Sequence, residues 1–238
     1  MRRIGGVLAA TLLLGCGRAG HEPPKPSGYD ALREAMVRET IIARDVQDPR
    51  VLAAMRKVPR HEFVPAEQRR HAYEDNPLPI GHGQTISQPF IVALMAEVAE
   101  IDAGEKVLEI GTGSGYGAAV LAELAGEVFT IEILDPLAVE AGKTLDRLGC
   151  KNVHVRSGDG YRGWPEEAPF DAIVVTAAPP EVPEPLKNQL KVGGKLVVPV
   201  GTRSQQLRVI TRTPEGFVEE SLTPVRFVPM TGEAQKGG

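Results

Sequence analysis

The chain has 238 residues, 42% of them hydrophobic and 24% charged, with a net charge of −4 and a pI near 5.8. Those numbers suit one α/β domain with a full core rather than two domains, and an acidic balance with no basic stripe argues against nucleic acid as a partner. Two cysteines, Cys16 and Cys150, and five scattered histidines (His21, His61, His71, His82 and His154) give neither a disulfide framework nor metal-ligand spacing, so no metal is expected.

The chain opens on Arg2-Arg3 and the apolar run Ile4 to Leu14, which is too short to span a membrane as a stable helix. Leu13-Leu14-Gly15-Cys16 resembles a bacterial lipoprotein cleavage box with Cys16 as the residue to be lipidated. Gly17 to Gly28, containing Pro23, Pro24 and Pro26, would then be a flexible tether. Residues 1–28 are therefore set apart from a single domain over 29–238. That domain divides into a helical extension and substrate loop (29–90), a cofactor-binding core (91–202), and a C-terminal hairpin and tail (203–238).

Tyr29 to Arg44 carries Leu32, Met36, Ile41 and Ile42 at loosely helical spacing. Asp48-Pro49 starts a second helix, with Val51, Leu52, Met55 and Val58 on one face and Pro59 ending it. Ala72 to Gln88 contains Pro77, Pro79, Gly81 and Gly83 and reads mostly as loop, and a loop of that length inside a compact domain is usually functional or disordered. It leads into a helix over Ile91 to Ala99. Ser87 stands just before that helix, where a hydroxyl commonly caps the first turn.

Val107 to Ile110 reads as a buried strand that breaks into Gly111-Thr112-Gly113-Ser114-Gly115, with a helix from Tyr116 to Leu124 behind it. A strand, glycine turn and helix start bring bare backbone N–H groups to a ligand. The spacing selects the ligand. A dinucleotide fingerprint needs G-x-G-x-x-G, and Tyr116 occupies its third glycine position. The form present, E-x-G-x-G-x-G from Glu109, resembles the first motif of class I methyltransferases, which bind S-adenosylmethionine.

Glu127 to Leu134 reads as the next strand, and Glu132 near its end lies 21 residues after Gly111. A carboxylate at that distance can accept ribose hydroxyls in a Rossmann-like sheet, the plain alternative being a solvated strand-end acid. A third strand, Val153 to Arg156, runs into Ser157-Gly158-Asp159-Gly160, which is also ordinary turn chemistry. Phe170 to Thr176 and Lys195 to Val200 supply the fourth and fifth strands. Gln206 to Arg212 and Phe217 to Met230 read as a hairpin around Thr213-Pro214-Glu215-Gly216, and the short glycine-rich tail after it is assigned no site. The architecture expected is α/β: a Rossmann-like doubly wound, mostly parallel sheet with an N-terminal helical extension and a C-terminal β-hairpin.

The chain also resembles the protein-L-isoaspartate O-methyltransferases over roughly residues 29 to 231. The resemblance rests on Arg60-His61-Glu62-Phe63-Val64-Pro65, Pro77-Leu78-Pro79-Ile80-Gly81 and, most specifically, Gly83-Gln84-Thr85-Ile86-Ser87-Gln88-Pro89. It continues through Val107 to Tyr116, Gly158-Asp159-Gly160, Phe170 to Ala178, Val192-Gly193-Gly194 and Pro224 to Pro229. The resemblance implies methyl transfer from S-adenosylmethionine to the free α-carboxylate of L-isoaspartyl residues, with succinimide formation returning part of the product to aspartate. It implies that Ser87 is the active-site serine and that Thr85 and Ile86 line substrate. It further implies cofactor contacts from Glu109 and the turn Gly111, Thr112, Gly113, Ser114 and Gly115 on the methionine side, Glu132 at the ribose, and Asp159 with Gly160 at the adenine. No G-x-S-x-G elbow surrounds Ser87, against a Ser-His-Asp hydrolase. The competing activities are a small-molecule O-methyltransferase and a non-catalytic lipid-anchored protein keeping the fold. Isoaspartyl proteins and peptides are the expected partners, and a monomer is expected. The location expected is cytoplasmic, with residues 1–28 an over-extended start; the alternative is a periplasmic protein anchored through Cys16.

Overall fold

A computed structural model describes residues 28–235. The lipoprotein-like segment with Cys16 lies outside the described residues, and Gly28, assigned to the tether, is instead the first residue of a helix. That helix, α1 (Gly28–Met36), runs on through a wide π turn (Val37–Ile41) and a 3₁₀ turn (Ile42–Arg44), ending where Asp45 adopts φ 67°. The π turn places Val37 and Ile41 both fully inside the core. Next, α2 (Pro49–Lys57) is capped by the Asp48 carboxylate, which accepts from the N–H groups of Arg50 and Val51 at 2.7 and 3.4 Å.

The segment read as mostly loop contains an antiparallel ribbon, β1 (Leu78–Gly81) and β2 (Gln84–Ile86). Its turn residues, His82 and Gly83, have φ of 51° and 74°, the primed geometry that joins two strands tightly. Proline at 77 and 79 hid this ribbon, because a two-stranded pair tolerates residues that a central strand would reject. Helix α3 (Pro89–Val98) follows the ribbon.

The core is a seven-stranded sheet: β3 (Lys106–Ile110), β4 (Glu127–Glu132), β5 (Val153–Ser157), β6 (Phe170–Val175), β7 (Leu190–Val200), β8 (Gln205–Thr213) and β9 (Gly216–Val225). The spatial order is β5-β4-β3-β6-β7-β8-β9, parallel except where β8 pairs with β7 and β9 with β8. The order reverses beside β3, leaving its carboxyl end as the crevice of the sheet. Helices α4 (Tyr116–Ala122), α5 (Asp135–Leu148) and α6 (Glu184–Asn188) complete the doubly wound layers. One face of the sheet packs with α2, α3, α4 and α5, and the other with Leu186, Met230 and Ala234.

Two strand ends differ from expectation. β7 begins at Leu190, ahead of Gly193-Gly194, and the register with β6 shifts between Phe170 and Ala172 to absorb the extra residues. β9 stops at Val225 instead of reaching Met230. Beyond it the chain leaves the sheet edge and returns over the carboxyl end of β6, where Ala178 N–H donates to Val228 O and Met230 N–H to Ala178 O, both at 2.8 Å. Gln205 holds the turn-back, accepting from Phe227 N–H at 2.6 Å and donating to Phe227 O at 3.1 Å.

Candidate active site

The glycine spacing has a direct backbone cause. Gly111, Gly113 and Gly115 take φ of 96°, 54° and 90°, so alternate residues of the turn need the left-handed region. At Gly111 a Cβ would also overlap Thr176 Oγ1, which donates to the Gly111 carbonyl at 2.7 Å. The turn differs from expectation in its donors. Gly111 and Thr112 N–H bond Ile131 O at 2.8 and 3.3 Å, Gly113 N–H bonds Glu132 Oε2 at 2.8 Å, and Gly115 N–H bonds Thr112 O at 2.8 Å. These four N–H groups are therefore used by the protein. What the turn offers a ligand is close approach of backbone and the start of α4.

Tyr116, the residue that breaks the dinucleotide pattern, is 1% exposed. Its ring lies 4.8 Å from the buried Arg60 guanidinium and packs edge-on against Phe63. A glycine here would remove the contact that fixes the helical extension to the first helix turn after the cleft.

Two carboxylates sit at the turn. Glu132 is 5% exposed and bridges it, with Leu134 N–H donating to its other oxygen at 3.0 Å, so each oxygen keeps acceptor capacity for a diol. Glu109 is 1% exposed and ends a buried chain, in which Thr112 and Thr130 hydroxyls lie 2.7 Å apart and Thr130 donates to Glu109 at 2.6 Å. Burial pushes the Glu109 carboxyl up to about 8, opposed by the Thr130 bond and reinforced by Glu132. A cation placed beside it would favour the ionised form. Gly117 is needed for this carboxyl as well, since a Cβ there would overlap Glu109 Oε1.

These groups line an open cleft enclosing about 1080 Å³ counted to its mouth. Thr85, Ile86 and Ser87 line it from the ribbon side, together with Glu109, Gly111, Thr112, Gly113, Ser114, Glu132 and Gly160. Gly115 is the N-cap of α4. Asp159 is not a lining residue. Its carboxylate accepts from Tyr161 N–H at 3.0 Å and Glu233 N–H at 2.8 Å, tying the tail to the end of β5. Ser87 is half-buried and does not cap α3; the cap position is Gln88, whose side chain makes no capping bond.

Sequence reasoning missed the far wall. Val228, Pro229, Met230 and Thr231 line the cleft, so the stretch after the hairpin, assigned no site from Thr231 on, reaches it. Thr176 was read only as a strand end, although its position at the carboxyl end of a strand next to β3 is the signal that could have found it. Thr130 is a polar residue on a buried strand, hydrogen-bonded as such residues must be.

The donor set fits S-adenosylmethionine. A buried acid that a cation would ionise, a second acid with spare acceptor capacity, and a backbone cradle closed to a Cβ at Gly111 together suit a ligand with an ammonium, a ribose and a flat base. Among the described residues no group of three or more His, Cys, Asp or Glu could hold a metal ion.

Comparison with known proteins gives the same answer. A protein-L-isoaspartate O-methyltransferase of Gloeobacter violaceus is 63% identical over 200 residues, covering 83% of this chain and 98% of the relative. The Opitutus terrae enzyme of that name is 55% identical over 229 residues, covering 95% and 97%. A solved protein-L-isoaspartate O-methyltransferase superposes with a TM-score of 0.79 at 33% identity, covering 85% of this chain and 67% of that one. A Plasmodium falciparum beta-aspartate methyltransferase structure, in complex with S-adenosyl-L-homocysteine, gives 0.74 at 26% identity, covering 87% and 99%. The family model described as protein-L-isoaspartate(D-aspartate) O-methyltransferase matches residues 31–235, and the chain belongs to that family.

Proposed function

We infer that this chain repairs damaged proteins by moving a methyl group from S-adenosylmethionine to the free α-carboxylate of L-isoaspartyl residues. The observation that carries the reading is Ser87 lining the glycine-turn cleft, in a chain matched to this family over residues 31–235. The bound cofactor supplies an electrophilic methyl on a sulfonium. An isoaspartyl carboxylate with a pKa near 4 is already ionised at neutral pH, so the protein needs no general base. Opposite charges cancel as the methyl moves, and strong charge stabilisation would gain little. Holding the carboxylate in line should dominate, an effect of up to about 7–11 kcal/mol in ideal cases.

Ser87 is therefore read as a hydrogen-bond donor that fixes the acceptor carboxylate, with Thr85 and Ile86 beside it. Glu109 and the Gly111–Gly115 turn are read as holding the methionine end, Glu132 the ribose, and Gly160 with Asp159 the adenine. Asp159 would use acceptor capacity left over from its two backbone bonds. The apolar side chains of Val92, Met95 and Met230 help keep water from the transfer.

The test is labelled methyl transfer to an isoaspartyl peptide set against its normal aspartyl twin. Transfer to the isoaspartyl peptide alone is expected, and equal labelling would point to a less selective O-methyltransferase. Ser87→Ala should lower transfer at least about tenfold, about 1.4 kcal/mol, while S-adenosylhomocysteine affinity stays nearly unchanged. Full activity would reduce Ser87 to a structural residue. No helix among the described residues is long and apolar enough to cross a membrane. A cytoplasmic monomer that takes proteins rather than nucleic acid is the accompanying reading. The cytosolic supply of the cofactor supports the cytoplasmic location. A diacylated Cys16 found by mass spectrometry of the mature N-terminus would replace it with a periplasmic lipoprotein.

A further inference from the structure

We propose that Asp75 is a positioning residue for Ser87, acting as the N-terminal cap that α3 lacks. The inference rests on the reading of Ser87 given above. Helix α3 begins with Gln88 at the cap position, whose side chain makes no capping bond, and with Pro89, which has no N–H. The first N–H that needs a partner is that of Phe90. It donates to Asp75 Oδ1 at 3.0 Å, from 15 residues away in sequence. Asp75 Oδ2 accepts from Gln88 Nε2 at 2.6 Å and pairs with Arg44 Nη1 at 3.0 Å. The Arg44 guanidinium in turn lies 3.4 Å over the Phe90 ring.

One carboxylate thus grips both residues flanking Pro89, immediately after Ser87. Asp75 also lies just ahead of β1, so the ribbon leaves from Asp75 and returns to it, and Ser87 emerges at the closure point. The N-cap side chain ordinarily accepts from the first-turn N–H groups, and that position belongs to Gln88, the residue after Ser87. Here Asp75 does that work from across the ribbon, and Ser87, one residue ahead of the cap position, lines the cleft.

The test is a double-mutant cycle of Asp75→Ala with Ser87→Ala, reading kcat and KM for an isoaspartyl peptide and S-adenosylhomocysteine affinity by calorimetry. Asp75→Ala is expected to lower kcat/KM about five- to tenfold, the range of a lost cap, with cofactor-product affinity changed less than about twofold. In the Ser87→Ala background the same substitution should have little further effect, because the residue it positions is gone. Asp75→Asn should restore most of the loss. Its oxygen can accept from Phe90 N–H and its amide can donate to Gln88 once that side chain turns over, so the bonds to both residues flanking Pro89 survive while the Arg44 bond is lost. If Asp75→Ala does not fold, Gln88→Ala runs the same cycle. Equal losses in both backgrounds, or a parallel fall in S-adenosylhomocysteine affinity, would overturn the inference. An undiminished Ser87→Ala enzyme would instead overturn the reading of Ser87, and the inference with it.

Discussion

Glu109→Gln should make the ligand-free protein more stable than wild type at neutral pH and leave it nearly unchanged in acid. Glu109 is 1% exposed, with Thr130 as its hydrogen-bond donor, and burial is the largest cause of its rise to about 8 from an ordinary 4.5. The folded carboxyl therefore keeps its proton over a range where the unfolded chain has lost it. Below about 4.5 both states are protonated and the group contributes no pH dependence. Between about 4.5 and 8 the folded state binds the extra proton, so wild-type stability falls as pH rises, by about 1.4 kcal/mol per unit at most. The ceiling is about 5 kcal/mol above the upper limit, and relaxation around the site should leave a few. Glutamine is neutral throughout and can still accept the Thr130 hydroxyl bond. Urea unfolding of both proteins from about pH 5 to about pH 8 checks this, because the other titrating groups cancel in the difference. A difference that widens with pH is expected. Parallel stability curves would show that Glu109 is ionised in the folded protein at neutral pH and would refute the reasoning.

Glu132→Ala should weaken S-adenosylhomocysteine binding by roughly 1–3 kcal/mol, because it also leaves the Gly113 and Leu134 N–H groups without acceptors. Undiminished affinity by calorimetry would mean the ribose lies elsewhere. Gly111→Ala forces a side chain into φ 96° and onto Thr176 Oγ1, and a loss of about 2 kcal/mol is expected, lowering Tm by about 4–8 °C. An unchanged Tm would show that the turn can shift at no cost. NAD should give no heat in the titration that detects S-adenosylhomocysteine, since Tyr116 fills the third glycine position of the dinucleotide pattern. NAD binding at that cleft would contradict the reading of the turn.

Much of this molecule is local and therefore readable in the chain. Val107 to Ile110 had to be a buried strand, and the alternate glycines after it had to supply a backbone that side chains would forbid, which the φ values at 111, 113 and 115 bear out. Asp48-Pro49 started α2 as an aspartate cap and first-turn proline should. The alternation of strands and helices fixed a parallel sheet whose ligand end could be stated in advance, because right-handed crossovers leave few other arrangements. What escaped depended on partners distant in sequence. The ribbon of β1 and β2 is stable only against its neighbours, so its prolines read as loop. The return of residues 226–231 over Ala178 is set by where β9 runs out of sheet, and no local pattern announces it. The donors of the glycine turn are spent on Ile131 and Glu132 because β4 lies beside β3, a pairing of residues about 20 apart. Asp75 and Ser87 are each ordinary turn residues in the sequence, and only the folded ribbon brings one to the start of α3 and the other to the cleft. The chain by itself determined the parallel strands, the glycine turn and the acids at their ends. The tertiary structure decided which polar groups remain for a ligand, because a buried donor or acceptor takes its partner from whatever packing brings within about 3 Å.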